Sequence, residues 1–377
     1  MRFIPFNSAK PLGRELEYVA RAASAGHLSG DGDFTKQCEG VLQQHIGARR
    51  ALLTTSCTHA LEMAALLLNI EAGDQVIVPS FTFVSTVNAF VLRGATPVFA
   101  DIRPDTLNLD ERQLPRLIGP KTKAIVVVHY AGVGCEMDDI LAIARAHGVA
   151  IIEDNAHGLF GRYKGRPLGS FGEASTLSFH DTKNFTCGEG GALLLNSTDM
   201  IARAEILREK GTDRSRFFRG EIDKYTWVDV GSSYVPSELL AAFLFGQLEL
   251  HDSIQARRRA LSARYANALK PWAEASGASL PHVPPHCDSA EHMFYVRLQD
   301  LDTRQRFIAH LRKQSIQAVF HYVPLHLAPM SARWGYGKGH CPVTELVSDQ
   351  LVRLPLYTSL TDEDQQRVID VVTTFQA

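Results

Sequence analysis

The sequence predicts an α/β fold: a large domain built on a mainly parallel sheet, followed by a smaller C-terminal α/β domain. Three observations lead there. Strand-like apolar runs alternate with helix-like stretches over about the first 200 residues, the rhythm of a sheet with helices on both faces. The runs are apolar throughout rather than at every second position, as strands covered on both sides are. The rhythm then changes after a long amphipathic stretch at 237–275.

In chain order, the strands are predicted at Arg50–Thr54, Gln75–Pro79, Thr96–Ala100, 123–129 and 149–153, with helices at 58–68, 84–92, 110–118 and 137–146 between them. The segment "STLSFHDTKNFTCGEGGALLLN", 175–196, reads as one strand entering a tight turn and a second leaving it. A proline-rich connector, "PHVPPHC" at 281–287, follows the long helical stretch. Beyond it, 292–298, 302–314, 318–323 and a last helix after Thr361 make the small domain. The division is therefore 1–250 and 251–377, with no internal repeat and no low-complexity tract.

Composition narrows the function. Hydrophobic residues make up 45% and charged residues 21% of the 377-residue chain, a globular mixture with a substantial core. The net charge of −2 argues against nucleic acid or an anionic membrane as the main partner. No run is long enough to span a bilayer, and the N-terminus lacks a secretory pattern. The six cysteines show no CxxC pair, which suits reduced thiols in the cytoplasm and gives no metal-binding spacing.

Three segments carry chemistry. "TTSCTHALEMAALLL" turns from strand to helix through Ser56, Cys57 and Thr58, where hydroxyls and free N–H groups cradle an anion; ordinary helix capping is the plainer reading. "AIIEDNAHG" ends a buried strand in Asp154, with His157 just beyond; a helix cap is again the plainer reading. In the third segment Lys183 lies between buried flanks, five positions after Ser178. A lysine near a core is costly unless paired or depressed in pKa, and a depressed pKa makes a nucleophile. An anion cradle, a buried acid and such a lysine together suit pyridoxal 5'-phosphate, which carries a phosphate, a basic ring nitrogen and an aldehyde.

"EDNAHG", "SFHDTKNFTCGEGG", "VPSFTFVSTVNAFVLRGATPVFADI", "HYAGVGCEMDDI" and "HYVPLH" resemble the signatures of the DegT/DnrJ/StrS sugar aminotransferases, over nearly the whole chain. The resemblance implies the aspartate aminotransferase-like architecture, fold type I. It also implies pyridoxal 5'-phosphate bound through an imine to Lys183, with Asp154 at the ring nitrogen and His157 near the phenolic oxygen. Thr58, the Cys57 backbone and Ser178 would hold the phosphate, and Phe83 would stack on the ring. Many members carry asparagine where this chain reads Gly231-Ser232-Ser233, so Ser233 would reach a neighbouring subunit's phosphate less far. His180 stands near the lysine as a packed or supporting residue. Lys183 itself, where some relatives have histidine, favours transamination over dehydration.

The stretch "REKGTDRSRFFRGEIDKYTWVDVGSSY", 208–234, resembles most the branch that aminates C4 of dTDP-4-keto-6-deoxy-D-glucose. That likeness implies L-glutamate as donor, dTDP-4-amino-4,6-dideoxy-D-galactose and 2-oxoglutarate as products, and a place in enterobacterial common antigen or lipopolysaccharide biosynthesis. Arg219, Lys224, Tyr225, Tyr322 and His326 would contact the substrate, in a homodimer whose active sites are shared. An aminotransferase for another keto-sugar nucleotide, at C3 or on a UDP sugar, is the alternative. A nucleotide-binding protein without the imine is the competing class.

Overall fold

Runs rich in alanine, valine, isoleucine and leucine form a seven-stranded sheet in the computed structural model, which describes residues 2–376. In chain order the strands are β1 (Arg50–Thr54), β2 (Gln75–Pro79), β3 (Thr96–Ala100), β4 (Thr122–Val128), β5 (Ala150–Asp154), β6 (Arg162–Tyr163), β7 (Arg166–Pro167), β8 (Ala174–Ser178), β9 (Gly191–Leu195), β10 (Cys287–Asp288), β11 (Phe294–Arg297), β12 (Val319–Phe320) and β13 (Leu351–Leu354). The large sheet runs β1-β9-β8-β5-β4-β2-β3. Neighbours from β8 to β3 are parallel, while β9 is antiparallel to both β1 and β8. The segment between β8 and β9 contains no helix to carry the chain back across the sheet, so β9 folds back as a hairpin partner.

That reversal positions the site. Because β1 and β8 both oppose β9, β1 points the same way as β8 and β5. The carboxyl ends Thr54, Asp154 and Ser178 thus fall along one edge, where ligands gather in open α/β sheets.

Two helices differ from the sequence reading. The stretch 237–275 forms Glu238–Glu249 and His251–Ser276, broken at Leu250. The first helix packs Ala241, Ala242, Leu244 and Leu248 into the large-sheet core. The second carries Leu261, Tyr265, Leu269 and Trp272 into a separate core, so the break lets the chain pass between them. The 110–118 helix shrinks to a 3-10 turn, Glu111–Gln113, and a single α-turn, Leu114–Leu117; Pro115 lacks the N–H that a longer helix needs.

The C-terminal residues build the antiparallel sheet β11-β13-β12. Neither β13 nor the helix Pro342–Gln350 before it was expected from the sequence. The N-terminal Ile4 joins this second core and bridges Ile316, with its N–H donating to Ser315 O at 2.9 Å. Among the described residues no helix is long and apolar enough to cross a membrane.

Gly191 marks a close backbone approach in the large sheet. A Cβ there would lie 2.3 Å from the Ser56 carbonyl carbon and 2.4 Å from the Cys57 nitrogen. Both are backbone atoms, so no side chain can swing aside. Gly191→Ala is expected to cost about 2–3 kcal/mol of stability, read as a lower urea midpoint at unchanged m-value; an unchanged midpoint would remove this contact as a constraint.

Candidate functional site

The turn after β8 is fixed by its own backbone and by buried anchors. Phe179 N donates to Gly190 O at 2.8 Å, Asp181 N to Gly188 O at 2.9 Å and Lys183 N to His180 O at 2.9 Å. Phe179, Phe185 and Cys187 sink into the core around Leu177 and Leu194, so the lysine between them cannot drift. Lys183 keeps part of its surface, yet its amine is enclosed by protein. Burial lowers its pKa to about 8, with Cys57 and Asp154 pulling it back up and Arg353 pushing it further down.

Asp154 closes β5 and is buried. Burial raises its pKa, opposed by the Thr86 hydrogen bond and by Lys183. Its Oδ2 accepts from Thr86 Oγ1 at 2.6 Å, and the Thr86 and Thr82 hydroxyls are 2.9 Å apart. Its Oδ1 accepts from Ala156 N at 3.2 Å. The aspartate is therefore oriented from the helix Ser85–Val91 as well as from its own strand.

His157 lies in a layer of histidines. Its ring stacks on His292 at 4.2 Å and faces His321 at 6.3 Å. His292 Nδ1 meets Asn184 Oδ1 at 2.9 Å, and His321 Nδ1 meets the Tyr130 hydroxyl at 3.0 Å. His157 Nδ1 is buried without a partner. Burial drives all three imidazoles well below their usual pKa, so each ring is neutral near pH 7.

The anion cradle is the start of the helix Cys57–Leu67, capped by Ser56 Oγ, which accepts from His59 N at 3.1 Å. Thr58 Oγ1 donates to Ser85 Oγ at 2.8 Å. Cys57 Sγ lies 3.5 Å from Thr176 Oγ1, and burial pushes its thiol far up; its backbone, rather than its sulfur, is what it can offer an anion. Ser178, half-buried at the end of β8, pairs in register with Gly191 beside this helix start.

The remaining expected residues are dispersed. Phe83 is 58% exposed at the head of the helix Ser85–Val91. Tyr322 stacks on His321 with centroids 3.4 Å apart, beside Phe81 and Tyr130. His326 is fully buried and spends both ring nitrogens, Nδ1 on Ser80 Oγ at 2.6 Å and Nε2 on Glu345 Oε1 at 3.0 Å. Both ring nitrogens are therefore engaged by the protein itself. Arg219 pairs with Glu205 at 2.7 Å and Glu221 at 2.6 Å. Arg219 and Ser233 line a cleft of about 1010 Å³ that contains none of the Lys183 cluster, and Tyr225 is about half-exposed. His180 is exposed and bonds its own turn through Thr182, rather than packing inside. Sequence reasoning missed Thr86, Tyr130, Asn184, His292, His321 and Arg353.

These groups fit pyridoxal phosphate: an enclosed amine, an oriented carboxylate, an unpartnered imidazole nitrogen and a helix start beside Gly191. A family model for the DegT/DnrJ/EryC1/StrS aminotransferases matches residues 12–373. The spore coat polysaccharide biosynthesis protein SpsC of Bacillus subtilis is 33% identical, covering 98% of this chain and 96% of SpsC. Among solved structures, S. venezuelae DesV is 32% identical at TM-score 0.86, covering 96% of this chain and 93% of DesV. Spr1654 from Streptococcus pneumoniae, in its PLP form, is 27% identical at TM-score 0.88, covering 99% of this chain and 98% of that one.

The lysine's depressed pKa gives a pH test. Below about 8 the amine is protonated and cannot attack an aldehyde; above it the free base dominates. Capture of pyridoxal phosphate by the cofactor-stripped protein should accelerate as pH rises through this value. Borohydride reduction should fix the label on Lys183, and a label on any other lysine would refute the assignment.

Proposed function

The chain belongs to the DegT/DnrJ/EryC1/StrS aminotransferase family, and on that premise we propose that it moves the amino group of L-glutamate onto C4 of dTDP-4-keto-6-deoxy-D-glucose. The products are 2-oxoglutarate and dTDP-4-amino-4,6-dideoxy-D-galactose. That the protein is a pyridoxal phosphate-dependent sugar aminotransferase follows from the family and its solved members. The bound cofactor supplies a ring that accepts the electron pair left when a C–H bond beside nitrogen breaks.

In this reading the chain's own groups divide the work. Lys183 holds the cofactor, then takes the proton from Cα of glutamate and delivers one to C4 of the sugar. A pKa of about 8 suits an amine that must both accept and donate near neutrality. Asp154 keeps a proton on the ring nitrogen, and Thr86 fixes the carboxylate's orientation. His157 offers its unpartnered Nδ1 toward the phenolic oxygen. The N–H groups at the start of Cys57–Leu67, with Thr58 and Ser178, hold the phosphate. The neutral histidines place no competing cation beside the lysine.

The single observation that carries the C4 and dTDP reading is the stretch 208–234, through its likeness to that branch. Incubation with glutamate and a panel of 4-keto and 3-keto dTDP and UDP sugars tests it. Mass spectrometry should find the amine on the dTDP-4-keto sugar, and proton couplings should give the galacto epimer. A 3-amino product, or preference for a UDP sugar, would replace the reading with its alternative.

A homodimer with shared sites is supported by the arm at 212–234. Phe218, Trp227, Val228 and Val230 are 65%, 77%, 49% and 50% exposed, an apolar surface that a partner subunit would cover. On this model Ser233, Lys224 and Tyr225 serve the partner's site. A Lys183→Ala subunit combined with a Lys224→Glu, Tyr225→Ala subunit would leave one intact site in each mixed dimer. Doubly tagged mixed dimers should regain about half of wild-type activity; no gain over the parent dimers would exclude sharing.

A further inference from the structure

The segment 5–12 has no secondary structure of its own, yet it is fastened at both ends, and to different domains. At one end Ile4 sits in the small-domain core. Its N–H donates to Ser315 O at 2.9 Å, and its carbonyl accepts from Gln317 N at 3.0 Å. Phe6 N adds a hydrogen bond to Gln317 Oε1 at 3.1 Å. At the other end Glu15 is fully buried, and its carboxylate accepts from Leu12 N at 2.8 Å and Gly13 N at 2.7 Å. Gly246 lets the helix Glu238–Glu249 close on this anchor, since a Cβ there would lie 2.9 Å from both Cα and N of Glu15.

Between the anchors the chain crosses the lysine turn. Asn7 Nδ2 donates to Asp181 O at 2.8 Å, two residues before Lys183. Asn7 and Lys10 wall one side of a cavity of about 20 Å³, whose other walls include Lys183 and Asn184 of the turn and Arg258 and Tyr357 of the small domain. The Phe6 ring lies 4.5 Å from the Arg353 guanidinium. On β13, Val352 and Leu354 enter the small-domain core, and Arg353 faces the other way. Its hydrogen bond to Phe320 O is long at 3.4 Å, and no carboxylate among the described residues stabilises its charge. Ordering eight irregular residues costs conformational entropy, and chain ends are poorly held unless tied down. Two anchors and two contacts midway offset that cost here.

We propose that residues 5–12 are a strap that seals the flank of the Lys183 turn against water and holds the two domains together across it, with Asn7 positioning the turn through Asp181. The inference rests on Lys183 carrying the cofactor. The cavity under the strap has room for no more than about one water, so the seal is close. Excluding water strengthens the charge interactions around the amine and keeps competing water from the reacting carbon.

The test follows water rather than turnover. Borohydride fixes pyridoxal phosphate on Lys183 as a fluorescent secondary amine, and iodide quenches that fluorescence where it can reach. In a Phe6→Ala, Asn7→Ala variant, which keeps both anchors, the quenching constant should rise at least about threefold over wild type. The pH midpoint for cofactor capture by the stripped protein, set by an amine of pKa about 8, should also move. It should rise by at least about half a unit, because a better-solvated amine keeps its proton to higher pH. Deletion of residues 2–10, which leaves Leu12 and Gly13 on Glu15, should push both readings further the same way. If that deletion does not fold, the double variant decides alone. A lower melting temperature with quenching and midpoint both unchanged means that the segment only stabilises the fold, and overturns the proposal. If wild-type protein takes no label on Lys183, the cofactor reading fails and this inference falls with it. A labelled wild type whose variants match it refutes the strap alone.

Discussion

The site depends on a contact between two pieces of backbone, Gly191 of β9 against the turn Ser56–Cys57. Gly191 pairs in register with Thr54 on one side and Ser178 on the other. The helix start that can hold an anion and the strand that leads to Lys183 are therefore one strand-width apart on either side of it. Asp154 lies on the next strand, opposite Thr176. A side chain at 191 would move all three relative to one another. Ser56 would still cap its helix and Phe179 would still anchor its turn, but amine, carboxylate and N–H groups would no longer converge.

Burial then sets the charges. Desolvation lowers Lys183 and the three histidines and raises Asp154, which is the expected sign for cations and anions alike. Lys183 and Asp154 partly offset this for each other, since each favours the charged form of its neighbour. The Thr86 hydroxyl adds a fixed donor to the carboxylate without adding charge. The result is an amine whose protonation can change near pH 8 beside imidazoles that stay neutral. A proton-shuttling group needs that separation, because a second titrating cation would blur which base takes the proton.

Local signals made the large-sheet part of this legible. Arg50–Thr54, Gln75–Pro79 and Thr96–Ala100 are strands with the bounds their apolar runs predict, because strands buried on both faces leave little polar interruption. Lys183 and Asp154 could be singled out because a charge beside a buried run is conspicuous in sequence. The reversal of β9 could not, since an apolar run carries no direction. His292 and His321 were invisible for a different reason: they arrive from more than 100 residues away, and no local pattern joins them to His157. Arg353 was missed with its strand, because four residues of mixed character after a short helix give little periodicity. His326 was expected at the substrate through the resemblance that "HYVPLH" carries, not through any local pattern. Only the fold reveals that Ser80 and Glu345 already occupy it.

His326 also explains how a small-domain arginine can be held steady over a large-domain site. The helix Pro342–Gln350 leads directly into β13, so its position decides where Arg353 points. Two large-domain groups fix that helix. Asp101, at the end of β3, accepts from Val343 N and Thr344 N at 2.8 Å each and from Thr344 Oγ1 at 2.7 Å, filling the helix's open N-terminal donors. Ser80, at the end of β2, reaches Glu345 through the imidazole of His326. Both ties begin at carboxyl ends of parallel strands, the same edge that carries Asp154 and the lysine turn. The edge that gathers the reacting groups therefore also registers the strand bearing the unpaired cation. Loosening either tie would shift Arg353 against Lys183 without touching the residues that hold the cofactor.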